Sequence, residues 1–148
     1  MVAQIFNFRN VKIRLTDTNV TTIYGVVTYD PNNPSTTLPS GVLPSEVSSV
    51  ILTIQCANIT GLSTLPAPAN VASTVAVTAL VTNTDPITVT TTTNYLVQNY
   101  PVISANAFDP LSGNLVLTAN DQLQVKTDTA NGVDVIVTLL EIANATAS

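Results

Sequence analysis

A serine or cysteine becomes a nucleophile only beside a base that takes its proton, and this 148-residue sequence contains no histidine. A serine–lysine pair would have to use Lys12 or Lys126. Lys12 falls on the wet side of an alternating segment, and Lys126 continues a polar side with Gln122 and Gln124, so both read as solubilising charges. Cys56 sits in a markedly apolar run, where a free thiol behaves as a small hydrophobe. A single cysteine makes neither an internal disulfide nor a structural zinc site. Paired carboxylates for glycoside hydrolysis have few candidates, because Glu46 and Glu141 are the only glutamates and most aspartates stand in turns. Asp121, Asp128 and Asp134 miss the spacing of a calcium loop, leaving an incidental site built on turn oxygens as the only calcium chemistry on offer. Phosphate-cradling glycine loops are absent. The expectation is a protein that is not an enzyme and holds no cofactor or metal.

Binding chemistry narrows in the same way. A net charge of −5 and an isoelectric point near 4.1 oppose nucleic-acid binding, which needs lysine and arginine against phosphate. Sugar platforms on β-sheets use exposed aromatic rings; there is no tryptophan, and only Tyr95 and Tyr100 beside Pro101 cluster. Packing on an edge strand with the hydroxyls in water is the plainer reading of that pair. The longest apolar stretch, Val75 to Val81, falls well short of the ~18 residues a membrane helix requires. Arg9, Lys12 and Arg14 follow the first apolar residues instead of preceding them, opposite to a secretory signal, so synthesis in a cytoplasm without export is expected. The sequons at Asn19, Asn58 and Asn144 then read as chance products of an Asn/Thr-rich composition.

Charge is scarce and sorted by position. Charged residues make up 9% of the chain, against about 25% in ordinary soluble domains. Residues 1–16 carry +3 and the remainder −8. Complementary regions of this kind favour head-to-side contact between copies. The apolar prefix Ile5, Phe6 and Phe8 adds a surface that would be buried on assembly. Phe6, Phe8, Arg9, Lys12 and Arg14 are therefore the candidate assembly contact, on an N-terminal arm or edge strand (residues 1–16) that belongs to the same domain as residues 17–148.

The elements that must position these residues repeat with period two. Val11, Ile13 and Leu15 alternate with Lys12, Arg14 and Thr16, as in a half-buried strand. Strands are predicted over 20–29, 47–57, 71–81, 87–93, 115–118, 123–125 and 133–142, with 95–103 ambiguous and demoted to an edge by Pro101. Within 47–57 the alternation groups Val50, Leu52, Ile54 and Cys56 on one face. Residues 30–45 and 61–70 read as long Pro/Ser/Asn loops, and Asp-Pro turns recur at Asp30, Asp85 and Asp109. About eight or nine short strands, with no capped helical stripe, predict one antiparallel β-sandwich or jelly roll.

The segments Val50–Thr60, Leu115–Val125 and Val133–Ile142 resemble the small β-sandwich accessory virion proteins of tailed bacteriophages, the capsid decoration and tail-associated proteins. The resemblance runs from about residue 47 to 142 and lies in style more than in a diagnostic motif. It implies a jelly-roll or immunoglobulin-like fold, a homotrimer, and a cementing role on the lattice of a major capsid protein, within the virion. A tail, neck or fibre component is the nearest alternative, and a carbohydrate-binding adhesin module is the alternative from another class.

Overall fold

Alternation at Val11, Ile13 and Leu15 does build a strand, and it is longer than the pattern alone marks out. The computed structural model describes residues 2–26, 42–60, 74–85 and 87–146, with side chains described at 6–26, 48–60, 74–85 and 87–142. Strand β1 (Val2–Leu15) pairs antiparallel with the last strand, β9 (Val133–Thr146), without interruption from Val2 opposite Thr146 to Leu15 opposite Val133. The N-terminal segment is thus an edge strand sewn into a sheet along its whole length.

Between them run β2 (Thr21–Gly25), β3 (Val42–Asn58), β4 (Val75–Thr84), β5 (Thr91–Val102), β6 (Ala107–Phe108), β7 (Leu115–Leu117) and β8 (Asp121–Thr127). They form two antiparallel sheets. The first has the order β1-β9-β3-β6, with β7 also on β3; the second has the order β2-β8-β4-β5. Among the described residues there is no helix, and none long and apolar enough to cross a membrane. The described residues make an all-β antiparallel sandwich of nine strands.

Its core lies between the sheets. Leu15, Ile51, Ile54, Val135, Val137 and Leu139 from the first sheet meet Val75, Val77, Leu123 and Val125 from the second, all buried in one cluster. Valine and isoleucine suit these positions because a branched Cβ packs well on a pleated surface.

Strand β3 departs from simple alternation. Its register against β9 shifts between Ile51 and Thr53, a bulge that places Ile51, Ile54 and Cys56 inward and leaves Val50 and Leu52 half-buried on the outside. The expected grouping of Val50 and Leu52 with Ile54 and Cys56 is therefore corrected, because one extra residue reverses every later side chain. Strands β7 and β6 pair with β3 on either side of Ile54, and in the gap the Asp109 carboxylate accepts the Ile54 N–H at 3.3 Å. The Asp109-Pro110 turn thus satisfies a backbone donor that the ladder leaves over.

Two further boundaries differ. Residues 87–90 form a turn and not the start of a strand; β5 begins only at Thr91. Strand β3 begins at Val42, inside the expected 30–45 loop, and Pro44 lies where the register shifts between Val42 and Val47, a tolerated place for a residue with no N–H. The rest of that loop, residues 30–41, and the 61–70 loop lie outside the described residues. Asn58 is buried, with its side-chain amide donating to the Val102 carbonyl at 2.7 Å, which removes it as a glycan acceptor.

The bulge makes a measurable distinction. Ile54→Ala should cost about 2–5 kcal/mol in urea unfolding, as full core truncations do. Leu52→Ala, outward and half-buried, should cost less than half as much; equal losses would place both side chains in the core.

Candidate assembly surface

Continuous β1–β9 pairing decides where each candidate side chain points. From residue 6 onward, even-numbered residues of β1 stand on the outer face of the first sheet, and odd-numbered ones face the second sheet. Phe6 and Phe8 are accordingly 57% and 72% exposed, on the same face as Lys12 and Arg14. Arg9 does not share that face. It lies on the core side at one end of the sandwich, where its Nη1 meets Glu141 Oε1 at 2.7 Å and its guanidinium sits 5.9 Å from the Tyr24 ring centroid.

That end is closed by a polar cluster invisible in the strand pattern. Tyr24, from the second sheet, donates its hydroxyl proton to Glu141 at 2.9 Å, and so accepts from Ser49 at 2.6 Å. Asn7 donates to the other Glu141 oxygen at 3.0 Å. Glu141 is thereby shared by Asn7, Arg9 and Tyr24, joining β1, β2, β3 and β9 across the two sheets. Burial pushes the Tyr24 hydroxyl up to about 12; the Ser49 hydrogen bond opposes the shift, and Glu141 adds to it.

On the outer face, Arg14 makes a two-pronged pair with Asp134, Nε at 2.7 Å and Nη2 at 3.0 Å. Its guanidinium is held charged above its usual range by that contact. Among the described residues Lys12 makes no ion pair.

The register also assembles what single-strand reading does not. Phe8 is opposite Leu140, Leu140 opposite Val50, and Val50 opposite Val116. These four form an apolar row across β1, β9, β3 and β7, about 14 Å wide at the usual strand spacing. Phe6 opposite Ile142 lengthens it at the β1 edge. Val116 is 57% exposed. The outer face of the second sheet is different in kind: Gln124 donates to Thr22 at 3.1 Å and to Gln122 at 3.2 Å, giving a hydroxyl–amide ladder suited to water. A signal for the row was present in β9, whose second side carries Ile136, Leu140 and Ile142 in place of the polar residues a wet face would have.

The remaining candidate chemistry is dispersed. Cys56 is fully buried, and burial pushes its thiol up to about 12, so thiolate is scarce at neutral pH. Asp17, Asp85, Asp109 and Asp121 each accept a backbone N–H of their own turn, the role expected of them, whereas Asp128 accepts the Ala76 N–H of β4. Among the described residues no group of three or more metal-ligating side chains occurs. Lys126 borders a shallow concavity with Thr78, Asn99 and Asp128, and no serine is among its described lining. Tyr100 stacks on Phe108 at 4.3 Å, while Tyr95 is five positions away along β5, roughly 16 Å in extended chain, so the two rings form no common platform.

No family model and no curated protein matches the chain. Among solved structures, it is similar to a protein of Bacillus endospore appendages, described as disulfide-linked pili, with TM-score 0.45 and 9% identity over 99% of this chain and 92% of that one. It is similar also to a protein of the infectious bursal disease virus T13 particle (TM-score 0.39, 14% identity, 93% of this chain and 31% of that one). A third is a pentameric capsid protein from metagenomic phage sequences (TM-score 0.36, 19% identity, 93% of this chain and 64% of that one). The chain spans less than two thirds of either viral protein. These are likenesses of β-rich outline and carry no function across.

The Tyr24 cluster has a pH signature. Free tyrosine ionises at 10.0, so between there and about 12 the unfolded chain sheds a proton that the native state keeps. Stability therefore falls as pH rises through that window, by on the order of 2 kcal/mol from this group. Tyr24→Phe should lose about 1 kcal/mol at neutral pH and flatten the alkaline fall, as read by urea titrations at stepped pH.

Proposed function

We propose that this chain is a non-enzymatic structural protein of a virion, a capsid decoration or cement protein that associates with copies of itself and lies as a homotrimer on the lattice of the major capsid protein. The observation that carries the reading is the apolar row Phe8, Leu140, Val50 and Val116, extended by Phe6, on the outer face of the first sheet. Contiguous exposed apolar surface of this kind marks an interaction site. Beside the row the outer face carries the neutral Asn10–Thr138 pair, and farther along β1 come Lys12 and the Arg14–Asp134 pair, which neutralises itself, so little charge must be stripped of water when the row is covered. Low total charge supports the same reading, because a chain that lives beside its copies needs less mutual repulsion than a free monomer.

Phe6→Thr with Phe8→Thr keeps strand propensity while removing both exposed rings. Light scattering should show loss of the native oligomer with little change in unfolding midpoint. The native protein should be recovered from purified particles in a copy number set by capsid symmetry, and the double variant at reduced occupancy. Particles that lack the protein, or an unaltered oligomer in the variant, overturn the proposal.

A further inference from the structure

The turn joining β4 to β5 exposes apolar side chains that the sandwich does not use. Ile87 is 89% exposed and Val89 77%, at the tip of a hairpin. Its described residues are tied together: Asp85 Oδ1 accepts the Ile87 N–H at 2.8 Å, the Asp85 carbonyl accepts the Val89 N–H at 2.8 Å, and Asp85 N–H donates to the Thr90 carbonyl at 3.0 Å. Val89 has φ of 55°, a region a β-branched residue rarely enters. At Asn99, Asn120 and Asn131 the chain meets the same backbone demand with asparagine, which tolerates it, and at Ala105 with alanine, which has no branched Cβ. The hairpin's own hydrogen bonds hold Val89 in this conformation, and its side chain is 77% exposed, so a β-branched residue stands where neither the backbone nor the core favours it.

We propose that the β4–β5 tip of one copy seats Ile87 and Val89 on the Phe8–Leu140–Val50–Val116 row of a second copy. The inference rests on the reading of that row as the self-association face. Within one chain the two surfaces cannot meet, because the row faces away from the sheet that carries the hairpin. Their charges are complementary. The tip carries Asp85, whose carboxylate stays ionised under its backbone hydrogen bonds, and the outer face that carries the row also carries Lys12, four residues along β1 from Phe8 beyond the Asn10–Thr138 pair and, among the described residues, without an ion-pair partner. A tip fixed by its own turn bonds loses little freedom on docking. Because different surfaces meet, the contact is head-to-side, and three copies can close it into a ring.

Complementation tests this with the full chain. A tip variant, Ile87→Ser with Val89→Asn, retains a face; a face variant, Phe8→Thr with Val116→Thr, retains a tip. Each alone should be a single copy by light scattering, and an equimolar mixture should form a pair and stop there, since each pair contains one working tip on one working face. Unfolding midpoints confirm that both variants fold, and Ile87→Ser alone serves if the double tip variant does not. A tip variant that assembles like the native chain overturns the tip while leaving the face intact. A face variant that assembles like the native chain overturns the face itself. Two single-copy variants that ignore each other show that tip and face do not meet, and a native chain that never associates overturns both readings.

Discussion

Unbroken antiparallel pairing between β1 and β9 is the constraint from which the surfaces of this protein follow. With fourteen residues in each strand and no bulge between them, the side of each β1 residue from Phe6 to Leu15 is settled by its parity. Phenylalanine at 6 and 8 is thereby committed to the outer face, and Arg9 to the end of the core. Because β9 is central, the same parity passes to β3 and through it to β7, so one register aligns apolar residues from four strands. Slipping β1 by one residue would bury Lys12 and Arg14 and expose Val11, Ile13 and Leu15. The register is therefore specified by the core, and the outer row inherits its alignment from that choice.

Electrostatics in this chain are structural in a local sense. Asp17, Asp85, Asp109 and Asp121 spend their carboxylates on backbone N–H groups of their own turns, which substitutes side-chain oxygens for the ladder partners that turns lack, and Asp128 supplies one to Ala76 of β4. The two ion pairs are partly exposed and contribute little each. Glu141 matters more through its three donors than through its charge, since Tyr24 reaches it from the opposite sheet and ties the ends of both layers together. Neutral threonine and glutamine wet the second sheet. One face carries an apolar row among polar neighbours and the other is hydrated, without a strong field on either.

Much of this could be read from residue order. The alternation in β1 and β9 marks both strands and their inward residues, and the scarcity of helix signals gives the class. Val50 and Leu52 were placed on the wrong side because a bulge has no mark in local periodicity; the carboxylate that supports it, Asp109, is 55 residues from Ile54. Ile87 and Val89 read as strand because β-branched residues favour strands, whereas Asp85 captures their backbone in a turn. Arg9 was grouped with Lys12 and Arg14 by charge, although its odd position already separated it from them. The partners of Glu141 come from two strands in different sheets and needed the fold.

Cys56 lies at 0% exposure under a raised thiol pKa, and it is the only cysteine in the chain. Thiol reagents that act through an exposed thiolate therefore meet a silent background. A cysteine placed on the hairpin tip or the apolar row would be the single addressable sulfur per copy. The buried thiol that rules out covalent cross-linking in the native state thus makes the protein's surface unusually easy to label one position at a time.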